Sequence, residues 1–313
     1  MNFVPPEIWQ KIFSDACLDS GFTGRSLSLV SKYIYEMSKP TRFQSLAIRN
    51  YEQVMAFADI LERTPSHLRR VIHLFISTQD PEPKKSSSQY IPATSIGFPG
   101  LYSRIQEENE QSMEEMKKIS SAIRRILLCI APSIQILAMF TYGWNSVLLP
   151  LSCPNLTEFI ISGSYDESMS PTNEPLIMFG SLRYLHTGGC LGFDTGHLQY
   201  ISDAAPSLTH LRFTAIDMED LDAFAPTVTN ILIQAPSPPR RIRCGTHYRR
   251  FLDRIQHLHN QILEQKDDRF KLLQAPVPSQ GQGKGEAVFR QWLERINGGQ
   301  GCWIITNSDG SYR

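Results

Sequence analysis

LRYLHTG (182–188) and LTHLRFT (208–214) share one spacing, LxxLxΦx with Φ usually apolar, and four further stretches repeat it: VIHLFIS (71–77), IQILAMF (134–140), LTEFIIS (156–162) and VTNILIQ (228–234). Apolar residues two apart in the second half of each copy fit a strand with one face turned to a core. Most copies follow a chain-breaking residue two positions earlier: Pro132, Pro154, Gly180, Pro206 or Pro226. The last five anchors stand 22, 26, 26 and 20 residues apart, so the strands recur, though at an irregular interval.

That interval lies within the roughly 20–29 residue period of leucine-rich repeats. Helix-like pieces, HLQYISDAA (197–205) and DMEDLDAFA (217–225), separate some copies and would return the chain to the next strand. The repeats are degenerate, since Thr187 fills an apolar slot and the Asn that usually follows the strand is missing. One strand and one short helix cannot cover their own apolar face, so neighbours must stack and the ends need caps. A helix at about 107–131, with Met116, Ile119, Ile123, Ile126, Leu127 and Ile130 on one side, is expected to close one end. Residues 246–274, with Phe251, Ile255, Leu258, Ile262 and Leu263 in a stripe, are expected to close the other.

Outside the repeats, PPEIWQKIFSD (5–15) predicts a short amphipathic helix with Ile8, Ile12 and Phe13 on one face and Trp9 beside it. After Gly21 and Gly24, Leu27, Val30, Ile34 and Met37 continue at helical spacing as far as Pro40. Val54, Phe57 and Leu61 predict a helix at about 51–63, where Asn50 and Gln53 resemble a capping box. The Pro-, Ser- and Lys-rich run after Gln79 predicts a mobile loop at 79–104, and PVPSQGQGKG (276–285) predicts a linker. Beyond it come a short helix, AVFRQWLERI, and CWIITN as a strand.

The first of these blocks carries a family resemblance. VPPEIWQKIFSDA followed by SLSLVSKYIYEMS resembles the F-box, most specifically in Pro5-Pro6-Glu7-Ile8 and Ile12-Phe13, and the match covers about residues 3–48. It is similar to the F-box-like region of proteins from mushroom-forming fungi. Val4 stands where the family has Leu, and LDSGFTGR lengthens the first turn. The resemblance implies docking on the adaptor subunit of an SCF ubiquitin ligase, and through it on the cullin, by Pro5, Pro6, Ile8, Ile12, Phe13, Leu27, Val30 and Tyr33. The expected fold is an α plus α/β solenoid: an N-terminal three-helix F-box followed by an irregular leucine-rich-repeat domain with helical caps. The expected divisions are 1–48, 49–274 and 275–313.

Reactive constellations are missing from the sequence: there is no GxSxG and no HExxH, and Gly rather than Ser or Thr follows Lys284 in GQGKGE. His257 and His259, two apart on a helix, face different ways. Asp217, Glu219, Asp220 and Asp222 read as a solvated helix start. The six cysteines stand at least 24 positions apart, which suits buried thiols in a reducing compartment better than zinc or disulfides. No cofactor or metal is expected. With 31 basic and 31 acidic residues the chain has no net field, so neither a membrane nor nucleic acid is an expected partner, although Arg240, Arg241, Arg243, Arg249 and Arg250 crowd together. The start, MNFVPPEIWQ, has no signal-like apolar run, and no stretch is apolar enough to cross a bilayer, which points to cytoplasm or nucleus.

These readings converge on a non-catalytic substrate receptor that binds the adaptor at one end and an unknown protein substrate on its repeats. The alternative is a repeat scaffold that binds proteins, or RNA through the arginine run, without a ligase. In each copy the third, fifth and seventh positions would line the open concave surface. Glu158, Tyr184, His186, His210 and Arg212 are the expected substrate contacts there.

Overall fold

In all six repeated stretches the residues from the third position onward are strands: His73–Ser77, Ile136–Phe140, Glu158–Ser162, Tyr184–Gly188, His210–Thr214 and Asn230–Gln234. We call them β2 to β7; Ser45–Ile48 precedes them as β1 and Phe270–Leu273 follows as β8. The structure is a computed structural model that describes residues 4–78, 99–141, 152–162, 179–188, 201–214, 226–234, 245–273 and 284–303. The eight strands form one sheet in chain order, each parallel to the next.

The second position of three copies is threonine, and its hydroxyl ties neighbouring strands together. Thr157 Oγ1 donates to the Gln135 carbonyl (3.0 Å), Thr209 Oγ1 to Arg183 (3.2 Å) and Thr229 Oγ1 to Thr209 (3.3 Å). These hydroxyls reinforce carbonyls that also accept from the main-chain N–H groups of the next copy, just below the strand proper.

Three short helices open the described chain: α1 (Pro6–Ala16), α2 (Phe22–Val30) and α3 (Lys32–Ser38). Pro5, with its fixed φ, precedes α1, and Gly21, at φ 93°, precedes α2. Four longer helices follow: α4 (Tyr51–Arg63), α5 (Pro99–Ile130), α6 (Gly245–Gln265) and α7 (Lys284–Ile296).

Parallel strands alternate their side chains, and here both faces are clothed. Leu74, Ile76, Leu137, Met139, Phe159, Leu185, Leu211, Phe213, Ile231 and Ile233 turn to one face. There they pack with Val54, Phe57, Ala58 and Leu61 of α4, with Ala122, Ile123, Ile126, Leu127 and Ile130 of α5, and with Leu258 of α6. The other face carries Phe75, Ala138, Phe140 and Ile160, which are buried under Val288, Trp292 and Ile296 of α7.

This architecture corrects the expected three-helix segment plus repeat solenoid. The described residues form an eight-stranded, all-parallel α/β sheet with helices on both faces, and α1 to α3 lead directly into β1 of that sheet. An open solenoid leaves one sheet face to solvent; here α7 returns over β2, β3 and β4 and closes it. The helices expected as end caps lie on the opposite face, inside the main core. The alternation along each strand does not say which part of the chain covers the second face, and the cover comes from the far end, which is why the solenoid reading failed.

Smaller expectations changed too. Residues 79–98 of the expected loop lie outside the described residues, and from Pro99 the chain is already in α5, which begins well before the expected helix. The piece 217–225 and most of the linker lie outside as well. Gly301–Trp303 is a 3-10 turn rather than the start of a strand. Leu263 of the α6 stripe is 61% exposed. Among the described residues no helix is long and apolar enough to cross a membrane.

Candidate functional site

The parallel register places the expected contact residues on two successive rungs. Glu158, Tyr184 and His210 are direct neighbours across β4, β5 and β6, and Ile160, His186 and Arg212 form the next rung on the same face. Sequence reasoning therefore grouped these five side chains correctly. It expected them to be open to a partner, and instead Glu158, His186 and Arg212 are buried, while Tyr184 and His210 are partly covered.

The cover is the chain's own segment from Arg295 to Trp303. After α7 the backbone turns sharply: Gly299 N–H donates to the Glu294 carbonyl (2.9 Å) and Gly298 N–H to Arg295 (3.1 Å). Gly298 and Gly301, at φ 82° and 56°, occupy the left-handed region that side chains avoid, so the GGQG sequence suits this reversal. The turn lowers Cys302 and Trp303 onto the sheet beside Arg295.

Glu158 is the centre of the contact. Arg295 Nε donates to its Oε2 (2.6 Å) and Trp303 Nε1 to its Oε1 (3.0 Å), so both carboxylate oxygens are satisfied. Burial still raises the Glu158 carboxyl above its ordinary range, against the lowering pull of the Trp303 hydrogen bond and the Arg295 charge. The Arg295 guanidinium also sits over the Tyr184 ring, 5.1 Å from its centre, and donates from Nη1 to the Gly299 carbonyl (2.8 Å).

Aromatic rings enclose the Trp303 indole. Tyr184 lies 5.3 Å from it, His210 5.8 Å and His186 6.5 Å, and Tyr184 and His210 lean together at 4.4 Å. The geometries are tilted or edge-on, as ring quadrupoles prefer. His210 is held from both nitrogens, by Thr209 Oγ1 at Nδ1 (2.9 Å) and Asn230 Nδ2 at Nε2 (3.3 Å).

On the second rung, Arg212 donates from Nη1 to the Cys302 carbonyl and from Nη2 to Gln234 Oε1 (2.6 Å). Cys302 Sγ lies 3.5 Å from His186 Nδ1. Burial pushes the Cys302 thiol up to about 12 and holds His186 well below its ordinary value, so at neutral pH an uncharged thiol faces an uncharged imidazole. Among the described residues His186 Nε2 and Arg212 Nε are buried with no hydrogen-bond partner. Such a thiol is protected and weakly nucleophilic.

Arg295, Cys302 and Trp303 were not anticipated as site residues. The available signal was the aromatic and basic content of AVFRQWLERI and GGQGCW, which local patterning assigned to an appended helix and strand.

The expected adaptor-facing set lies at the opposite end of the chain. Pro5, Pro6, Ile8, Ile12, Val30 and Tyr33 are exposed, with Ile8 at 47% and Val30 at 66%. Leu27 is half-buried, and Phe13 turns inward at 3%, stacked on Trp9 with ring centres 5.3 Å apart. Phe22 and Leu29, which had not been singled out, are 65% and 83% exposed.

Arg240, Arg241 and Arg243, like the acids at 217–222, lie outside the described residues. His257 and His259 are both exposed on α6. Among the described residues no three His, Cys, Asp or Glu side chains group as they would around a metal ion. No protein-family model matches the chain, and no curated protein matches it.

Proposed function

We propose that the chain is a non-catalytic receptor subunit of a cullin-based ubiquitin ligase, working in the cytoplasm or nucleus. The helices α1 to α3 dock on the ligase adaptor and the sheet-bearing body holds a target protein. Its contribution is proximity: holding target and ubiquitin-charged enzyme together replaces a bimolecular encounter with a local one.

The observation that carries this reading is the apolar surface left in water by α1 to α3. Ile8, Ile12, Phe22, Leu29, Val30 and Tyr33 are between 44% and 83% exposed, and they occur within the stretch that resembles an F-box in sequence. Helices this short ordinarily turn such residues inward, and large exposed apolar groups gathered on one segment mark a surface that a partner covers.

Affinity recovery from cell extract tests it. Wild-type protein is expected to bring down an adaptor and a cullin, and Ile8→Asp with Ile12→Asp to lose both without lowering the melting temperature, because neither side chain is in the core. If the wild type recovers neither, the ligase reading fails, and the body is left as a binding scaffold without a ligase.

A further inference from the structure

The face closed by the C-terminal segment has two unlike halves. Under α7 the contact is apolar on both sides, with Phe75, Ala138, Phe140 and Ile160 against Val288, Trp292 and Ile296. Toward β5 and β6 the sheet instead offers Glu158, His186 and Arg212, all at least nine-tenths buried, beneath a glycine-rich turn. A permanent seal gains nothing from burying ionisable groups, since well-packed apolar residues are commonly as stable or more so.

The polar half has instead the features by which proteins read peptides. A carboxylate reads a guanidinium and an indole N–H together, through Arg295 and Trp303. Rings of Tyr184, His210 and His186 enclose the indole, and Arg212 reads a main-chain carbonyl, a contact indifferent to the side chain above it. The internal segment also leaves capacity unused: His186 Nε2 and Arg212 Nε, both buried, have no partner among the described residues.

We propose that this half of the face is a peptide groove for a target segment bearing arginine and tryptophan, and that Arg295–Trp303 is its built-in competitor. A target segment that satisfies the two idle nitrogens as well displaces the turn and the Arg295 side chain, while α7 stays anchored through Trp292 and Ile296. This rests on the body being the target-holding part of the chain and is independent of whether α1 to α3 bind an adaptor.

The test uses the full chain and a fluorescent peptide of residues 291–303, with Cys302→Ser in the peptide, read by anisotropy in the absence of any adaptor. Arg295→Ala with Trp303→Ala in the protein removes the competitor and is expected to tighten peptide binding by about tenfold or more over wild type. Adding Glu158→Gln is expected to reverse that gain. A folded double variant that binds no peptide, or binds equally a peptide carrying Arg295→Ala and Trp303→Ala, overturns the proposal. Amide exchange on the wild type decides independently of whether the double variant folds: amides 299–303 are expected to exchange well before those of β4 to β6. Exchange of both only with global unfolding overturns the proposal too.

Discussion

Arg295 reaches back 137 residues to donate from Nε to Oε2 of Glu158 across 2.6 Å. The carboxylate is 1% exposed on its side chain and the guanidinium 19%, so the pair spans the boundary between the sheet and its cover. Arg295→Ala leaves the buried Glu158 with only the Trp303 indole, and removing one member of a buried pair costs about 3–5 kcal/mol, less where water can enter. Glu158→Gln in the same chain is expected to recover part of this loss, since a neutral amide tolerates the site better than an unpaired charge. Urea denaturation of the four variants as a cycle measures the coupling.

Trp292 is fully buried between Phe75 and Phe289, with ring centres 5.9 and 5.8 Å away. Trp292→Ala is expected to cost about 3–5 kcal/mol through the lost contacts and the cavity left behind. Its Nε1 is buried without a hydrogen-bond partner among the described residues. Trp292→Phe, which removes that idle donor, is therefore expected to cost less than half as much, and thermal melts of the two variants make the comparison.

Gly24 lies where α2 meets the turn before β1, and a Cβ there would stand 2.3 Å from the Arg42 carbonyl oxygen. Main chain cannot yield as a side-chain tip does, so Gly24→Ala is expected to destabilise by about 1–3 kcal/mol. Gly180 has nothing among the described residues within 4 Å of its would-be Cβ. Gly180→Ala is expected to stay within about 0.5 kcal/mol of wild type, and both are read by the shift in denaturation midpoint.

Burial lowers His73 to about 4, and its Nδ1 has no hydrogen-bond partner among the described residues. The unfolded chain takes up this proton at about 6.5, so stability is whole above that value and falls as pH drops from 6.5 to 4. At pH 5 the loss from this histidine amounts to at most about 2 kcal/mol. His73→Gln is expected to flatten that part of the stability curve, which melting temperatures at pH 7, 6 and 5 reveal. An unchanged slope would show that His73 takes up its proton equally in both states.

Much of the sheet was legible because its signals are local. The six strands follow from leucines and chain breakers within a few positions of each other. Asn50 and Gln53 likewise announce the start of α4: Asn50 Oδ1 accepts from Gln53 N–H (2.9 Å), while Gln53 Oε1 accepts from Arg49 N–H (2.8 Å), one residue earlier than a capping box requires. β1 and β8 escaped notice, being four residues each and outside the repeated pattern. The contact face was legible as a face, since alternation places Glu158, Tyr184, His186, His210 and Arg212 together. What covers it was not, because Arg295 and Trp303 are distant in sequence and nothing in local periodicity records a pairing over that distance. Phe75, Phe140 and Ile160 held a warning: apolar side chains on a face assigned to solvent imply a cover.

The order of the strands has a consequence for how the chain assembles. Because every strand pairs with its immediate predecessor, a chain emerging from the ribosome completes the sheet edge by edge, in the order in which the strands are made. The helix that seals β2 to β4 is synthesised after all of them. Until it and the turn behind it arrive, Glu158 and Arg212 remain hydrated on an open growing surface, so the costly desolvation falls on the final docking step, after the scaffold that orients those charges is already in place.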